Sequence, residues 1–274
     1  MESLAQTNDS TCYSLEEIIQ NPLKVKKLVI KNETSKTYKT IPKQIFKCTN
    51  LVELVLFNTN LRRIPDEIST LENLRILSIP HGHLKRVSSK IGTLRKLHYL
   101  DISNNRLKKL PKELLRLRYL ETLVLSSNQL QKLDLPKSLG LKSIYADHNQ
   151  IDTLYDELFG FYDSIEILSL KSNALRYIPS DITQAAHLQM INLNNNRLRD
   201  FPEEFLEMPH LEEIRLGKNQ INELPELVEK STIKLLDLSE NPLKKWRVRQ
   251  FAQKSEIPTL IFMKKLNHWE YLEE

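Results

Sequence analysis

Residues 97–107 read Leu97-His98-Tyr99-Leu100-Asp101-Ile102-Ser103-Asn104-Asn105-Arg106-Leu107, and this string decides the fold. Its spacing, LxxLxLxxNxL, recurs along the chain. The first apolar position falls at Val25, Leu51, Leu74, Leu97, Leu120, Leu141, Ile165, Leu188, Leu211 and Ile233, at intervals of 26, 23, 23, 23, 21, 24, 23, 23 and 22 residues. A fixed period in this range marks stacked units that share one core.

Within the quoted string the period is two, so it reads as a short strand: Leu100 and Ile102 point inward, Tyr99 and Asp101 outward. One unit cannot cover its own leucines, and its neighbours must. Asparagine stands eight residues into seven of the ten units, at Asn105, Asn128, Asn149, Asn173, Asn196, Asn219 and Asn241. There the chain leaves the strand, and an amide that both donates and accepts satisfies backbone groups that would otherwise be buried unpaired. The role of this asparagine ladder is structural. Several units add a proline step, at Pro65, Pro111, Pro179, Pro202 and Pro225.

The pattern resembles the leucine-rich repeat family, in its roughly 23-residue class with an Ile-Pro or Leu-Pro step, as found in small bacterial proteins and in intracellular signalling scaffolds. The resemblance implies an α/β repeat solenoid, a horseshoe of about ten repeats with a parallel sheet on its concave side and turns or short helical segments on its convex side. The expected organisation is a tail and helical cap over residues 1–24, the repeat array over 25–246 and a carboxy-terminal cap over 247–274. Ser14-Leu15-Glu16-Glu17 is a capping box that opens the first cap's helix, which stops near Asn21-Pro22. That segment looks like the amino-terminal cap of small bacterial relatives. Trp246, Val248, Phe251, Leu260, Phe262, Leu266 and Trp269 are the apolar residues of the other cap.

Departures from the pattern are expected to be local. The first unit carries an insertion from Lys31 to Thr40 with Glu33 in the asparagine slot; Thr59 and Gly82 fill that slot in the next two, and Ser88 replaces a proline. Pro136 is displaced, which predicts irregularity near Leu133 to Leu141.

Composition narrows the function. The five glycines are so scattered that neither a GxGxxG fingerprint nor a P-loop can be written, which removes nucleotide-cradling loops. The repeat register accounts for the scarcity, since the proline step and the asparagine ladder make the turns that glycine makes elsewhere. No apolar run reaches the roughly 18 residues of a membrane helix, and no apolar stretch of signal-peptide length opens the chain. Two unclustered cysteines, Cys12 and Cys48, fit a reducing compartment, so a cytoplasmic setting is expected. The triplets at Asn8 and Asn32 match a glycosylation sequon by spacing alone.

A catalytic site needs a nucleophile beside a base, a metal cluster or paired acids in a pocket. Cys48 reads as semi-buried packing. His81-Gly82-His83 is the one close histidine pair, His81 reaching the concave rim, with no cysteine or carboxylate to complete a metal set. Glu203-Glu204 and Glu212-Glu213 read as a solvated face. The expectation is therefore no enzyme, no cofactor and no metal.

What remains is surface. Val55, Phe57, Ile76, Pro80, Tyr99, Asp101, Val124 and Tyr145 take outward strand positions in the amino-terminal half, where core packing demands none of them. Such a patch with aromatic anchors predicts a partner protein on the concave face of a monomeric chain. Charge adds an alternative. Residues 1–120 hold 22 Lys and Arg against 11 Asp and Glu, and residues 121–274 hold 18 against 24. Arg62-Arg63, Lys85-Arg86 and Lys108-Lys109 recur once per unit, a basic ladder suited to an anionic surface, whether acidic protein, lipid or nucleic acid. Nucleic acid is disfavoured, because no recognition helix or stacking motif accompanies the charge.

Overall fold

The computed structural model describes residues 11–31, 38–133, 140–154, 164–225, 232–265 and 268–270, with side chains through residue 262. Both sequons, Glu33, Pro136, the 134–139 stretch of expected irregularity and Leu266 lie outside these residues, as does the side chain of Trp269.

Sixteen strands are described. They are β1 (Thr11–Cys12), β2 (Lys27–Lys31), β3 (Glu53–Phe57), β4 (Arg63–Ile64), β5 (Ile76–Ser78), β6 (Arg86–Val87), β7 (Tyr99–Asp101) and β8 (Thr122–Val124); then β9 (Ser143–Tyr145), β10 (Ile167–Ser169), β11 (Met190–Asn192), β12 (Glu213–Arg215), β13 (Leu235–Asp237), β14 (Thr259–Ile261), β15 (Met263–Lys265) and β16 (His268–Glu270). Twelve form one parallel sheet in the order β1-β2-β3-β5-β7-β8-β9-β10-β11-β12-β13-β14. Ten come from the repeats, and each end of the array adds one more. β15 and β16 make an antiparallel hairpin.

Register follows the period. Leu54, Leu77, Leu100, Leu123 and Ile144 pair in one inward row, all at 1% exposure or less. Each such side chain contributes about 1.5–3 kcal/mol on burial, but only because the next unit covers it. The solenoid is an α/β repeat fold in which the inward leucines of consecutive units form a single continuous core.

Opposite the sheet, short 3-10 turns close most units: Lys43–Lys47, Asp66–Thr70, Ser89–Thr93, Lys112–Arg116, Ser180–Gln184 and Glu203–Leu206. Pro42, Pro65, Pro111, Pro179 and Pro202 stand at their amino-terminal caps, where a missing N–H costs nothing. Ser88 does the same work differently, accepting from the Lys90 amide at 3.0 Å and donating to Asp66 Oδ1 at 2.5 Å. Gly92 must lack a side chain, since a Cβ there would lie 2.5 Å from the Glu113 carbonyl oxygen.

The scarcity of glycine holds even where the backbone turns left-handed. At the residue before the asparagine slot the chain enters the left-handed region in nine units, through Asn58, His81, Asn104, Ser127, His148, Ser172, Asn195, Lys218 and Glu240, with φ between 53° and 59°. No glycine occupies these positions. Asparagine takes this position in three units, at Asn58, Asn104 and Asn195, and the ladder asparagine that follows braces the turn by donating to its carbonyls, as Asn105 does to Ser103 O and Ile102 O. The amides of the left-handed residues are pinned to the following unit, as Ser127 N to Asp147 O at 2.7 Å and Lys218 N to Ser239 O at 2.7 Å, which offsets the roughly 1–2 kcal/mol such a backbone costs.

At the amino end, helix α1 (Leu15–Gln20) is capped by Ser14, whose hydroxyl accepts from the Glu17 amide, while Glu17 Oε2 accepts from the Tyr13 amide at 3.0 Å. At the other end, α2 (Lys245–Lys254) buries Phe251 against Phe262, edge to face at 6.4 Å. Trp246, expected among the cap's apolar residues, is instead 57% exposed, with the Arg247 guanidinium over its ring. Cys48, read as semi-buried, is fully buried, and that burial pushes its thiol up to about 11.

Candidate functional site

The outer face of the sheet carries side chains from alternate strand positions. Along β5, β7, β8, β9, β10 and β11 one row runs Ile76, Tyr99, Thr122, Ser143, Ile167, Met190. Beside it run Val55, Ser78, Asp101, Val124 and Tyr145. Val124 thus lies between Asp101 and Tyr145, and the phenol of Tyr99 is pushed up by burial, then by the carboxylate of Asp101 and by Tyr145. Asp101 is itself tethered, accepting from the Ser103 amide at 2.9 Å and from Ser78 Oγ.

Phe57, at the end of β3, is 39% exposed and packs its ring against His81 at 4.9 Å. Val55, Ile76, Tyr99, Asp101, Val124 and Tyr145 are half-buried on this face. Pro80 is a correction: it keeps an outward register position but is buried, so it offers no exposed surface. It occupies the last outward position before the left-handed turn at His81, its carbonyl accepts from the Asn58 amide, and Ser103 at the same place in the next unit is also buried.

Over β11 to β13 the same face carries, beside Met190 and Leu235, a hydrogen-bonded polar network. Asn194 Nδ2 donates to Asp237 Oδ2 at 3.2 Å, its Oδ1 accepts from the Gly217 amide at 2.6 Å, and Asp237 Oδ1 accepts from the Ser239 amide at 3.0 Å. Asp237 is 1% exposed. Gly217 makes room for this contact, since a Cβ there would lie 2.7 Å from Ser239 Oγ and 3.1 Å from Asp237 Oδ2. Glu213 pairs with Arg215 in the neighbouring row.

The seven asparagines share one geometry. Asn128 Nδ2 donates to the Ile102 and Leu125 carbonyls at 3.0 and 2.9 Å, and its Oδ1 accepts from the Leu107 amide at 2.9 Å. Asn105, Asn149, Asn173, Asn196, Asn219 and Asn241 each likewise join three backbone groups across two units. Where Thr59 and Gly82 replace asparagine, Thr59 Oγ1 and His83 Nδ1 are buried without a partner among the described residues.

Arg62, Arg63, Lys85, Arg86, Lys108 and Lys109 are exposed on the trailing edge, past the turn. Arg63 pairs with Arg86 in the two-stranded ladder of β4 and β6, and the Lys85 amide donates to the Arg62 carbonyl. The sequence reading missed a second cationic cluster on the leading edge, where the chain enters the strands: a cleft of about 390 Å³ lined by Arg95, Leu115, Arg116, Arg118 and Tyr119. Its sequence signal is the recurrence of Arg95 and Arg118 two residues before Leu97 and Leu120.

Among the described residues, no group of three or more His, Cys, Asp or Glu is placed to hold a metal, and no helix is long and apolar enough to cross a membrane.

A family model for leucine rich repeats matches residues 72–130 and 139–198, and a second, for leucine rich repeats in two copies, matches residues 186–229. No curated protein matches the chain. Among solved structures, a leucine-rich repeat protein of Leptospira interrogans is similar with a TM-score of 0.63 at 26% identity, over 87% of this chain and 72% of that one. The ectodomain of the Arabidopsis thaliana membrane receptor kinase GASSHO1/SCHENGEN3, solved with CASPARIAN STRIP INTEGRITY FACTOR 2, gives 0.65 at 24% identity, over 88% of this chain and 33% of that one. The LRIM1/APL1C complex gives 0.72 at 23% identity, over 88% and 44%. The last two share the fold alone. With the recurring LxxLxLxxNxL pattern, the parallel sheet and the asparagine ladder beside these matches, the chain belongs to the leucine-rich repeat family.

Proposed function

We propose that the chain is a non-enzymatic scaffold that captures a partner protein on the outer, concave face of its sheet, centred on Phe57, Tyr99 and Tyr145. The observation that carries this reading is the pair of adjacent outward rows that hold Val55, Val124 and Tyr145 beside Ile76 and Tyr99, all partly exposed. The mechanism is preorganisation: a hydrogen-bonded sheet presents these side chains at fixed spacing, so little ordering entropy opposes binding. The receptor ectodomain solved in complex with CASPARIAN STRIP INTEGRITY FACTOR 2 is similar in fold, which supports a recognition role. A cytoplasmic setting is supported by Cys12 and Cys48, which are free thiols, and the reading takes the chain as a monomer.

The test is a comparative pulldown from a lysate of the source organism. Phe57, Tyr99 and Tyr145 replaced together by Ala should leave the melting transition intact and abolish capture of the proteins held by the parent chain. Undiminished capture removes the concave-face claim. A second reading, electrostatic association through the trailing-edge ladder, is favoured by the side-by-side placement of Arg63 and Arg86; capture lost on Lys108→Glu with Lys109→Glu, and at moderate salt, selects it.

A further inference from the structure

The leading-edge cleft lies apart from the concave face and from the trailing ladder, and its chemistry is specific. Arg95, Arg116 and Arg118 are all exposed, and none forms an ion pair with a described residue. The adjoining cleft, of about 440 Å³, is lined by Arg95, Lys96 and Arg116, with Glu72 the only carboxylate among its lining residues. Lys96 Nζ is already held by Asn73 Oδ1 at 2.7 Å.

The backbone under these cations is tightly turned. The Arg95 amide donates to the Thr93 carbonyl at 2.8 Å and the Arg118 amide to the Arg116 carbonyl at 3.1 Å. Because Tyr99 and Thr122 pair in register, Arg95 and Arg118, each four residues before its strand, stand at equivalent places in adjacent units. Guanidinium groups lining one cleft offer planar forks that match carboxylates through paired hydrogen bonds. The same cleft is lined by Leu115, 40% exposed, and Tyr119, 63% exposed, whose ring stacks on His98 at 5.9 Å.

We propose that this cleft binds an acidic segment of a partner polypeptide, its carboxylates on Arg95, Arg116 and Arg118 and its apolar side chains on Leu115 and Tyr119. An extended peptide alternates side chains to opposite faces, so acids and apolar residues reach both kinds of group at once. A nucleic-acid strand suits the cleft less well. Single-strand binders stack successive bases on several aromatic rings, and Tyr119 is the one aromatic lining this cleft.

Fluorescence anisotropy of the full chain with a labelled oligoglutamate peptide tests the proposal. Binding is expected at low salt and is expected to weaken about tenfold or more in Arg95→Glu with Arg118→Glu. Arg95→Lys with Arg118→Lys keeps the charge but loses the forks, and should weaken binding several-fold. Arg63→Glu with Arg86→Glu, on the trailing edge, should change it less than about twofold, and so should the Phe57, Tyr99 and Tyr145 alanine variant, which separates this site from the concave face. Absence of binding by the parent, equal binding by the leading-edge reversal, or displacement by oligothymidylate at lower concentration than by unlabelled oligoglutamate each overturns it.

Discussion

The outer face of the sheet gathers aliphatic and aromatic side chains over β3 to β9 and a hydrogen-bonded polar network over β11 to β13, although both halves stand on the same inward row of leucines. In the carboxyl half, Asn194, Gly217, Asp237 and Ser239 are joined by hydrogen bonds into one network. In the amino half, Val55, Ile76, Val124, Tyr99 and Tyr145 lie half-buried on the outer face. The repeat frame is indifferent to what its outward positions carry, so those positions divide between closing the structure and meeting something else. A second contrast overlies the first: the asparagine ladder runs unbroken from Asn105 onward, while Thr59 and Gly82 interrupt it under the apolar half.

The largest expected stability effect comes from opening the polar half. Asp237→Ala strips partners from the Ser239 amide and Asn194 Nδ2, and should cost about 1–3 kcal/mol in urea unfolding. A loss within error means that the network closes nothing. The interrupted ladder is sharpened by Thr59→Val, which removes a buried hydroxyl without a partner and should raise stability by about 1 kcal/mol; a fall shows that the hydroxyl is satisfied in solution. Smallest is Lys218→Gly, which relieves a left-handed backbone at φ 57° but loosens the unfolded chain, for a net gain of about 0.5 kcal/mol in thermal melts. Destabilisation there locates the strain elsewhere.

Much of this architecture was legible from spacing alone, because a period of about 23 residues with LxxLxLxxNxL admits one way to bury its leucines. Outward strand positions were legible for the same reason, through the alternation around Leu100 and Ile102. Pro80 was misread because alternation does not say where a strand ends: β5 stops at Ser78, and Pro80 is buried beyond it. The left-handed residues were invisible because no glycine marks them, and their cost is met by hydrogen bonds to the next unit. The leading-edge cleft was missed because it joins Arg95 of one unit to Arg116 and Arg118 of the next through the geometry of the 3-10 turns, which the strand pattern does not contain.

Hydroxyl-radical footprinting of the full chain, free and bound to the protein it captures, tests the central claim most directly. The account predicts that Phe57, Tyr99 and Tyr145 become protected while Met190, on the same face in the polar half, reacts as before. Protection of Met190 with Phe57, Tyr99 and Tyr145 unchanged would contradict it.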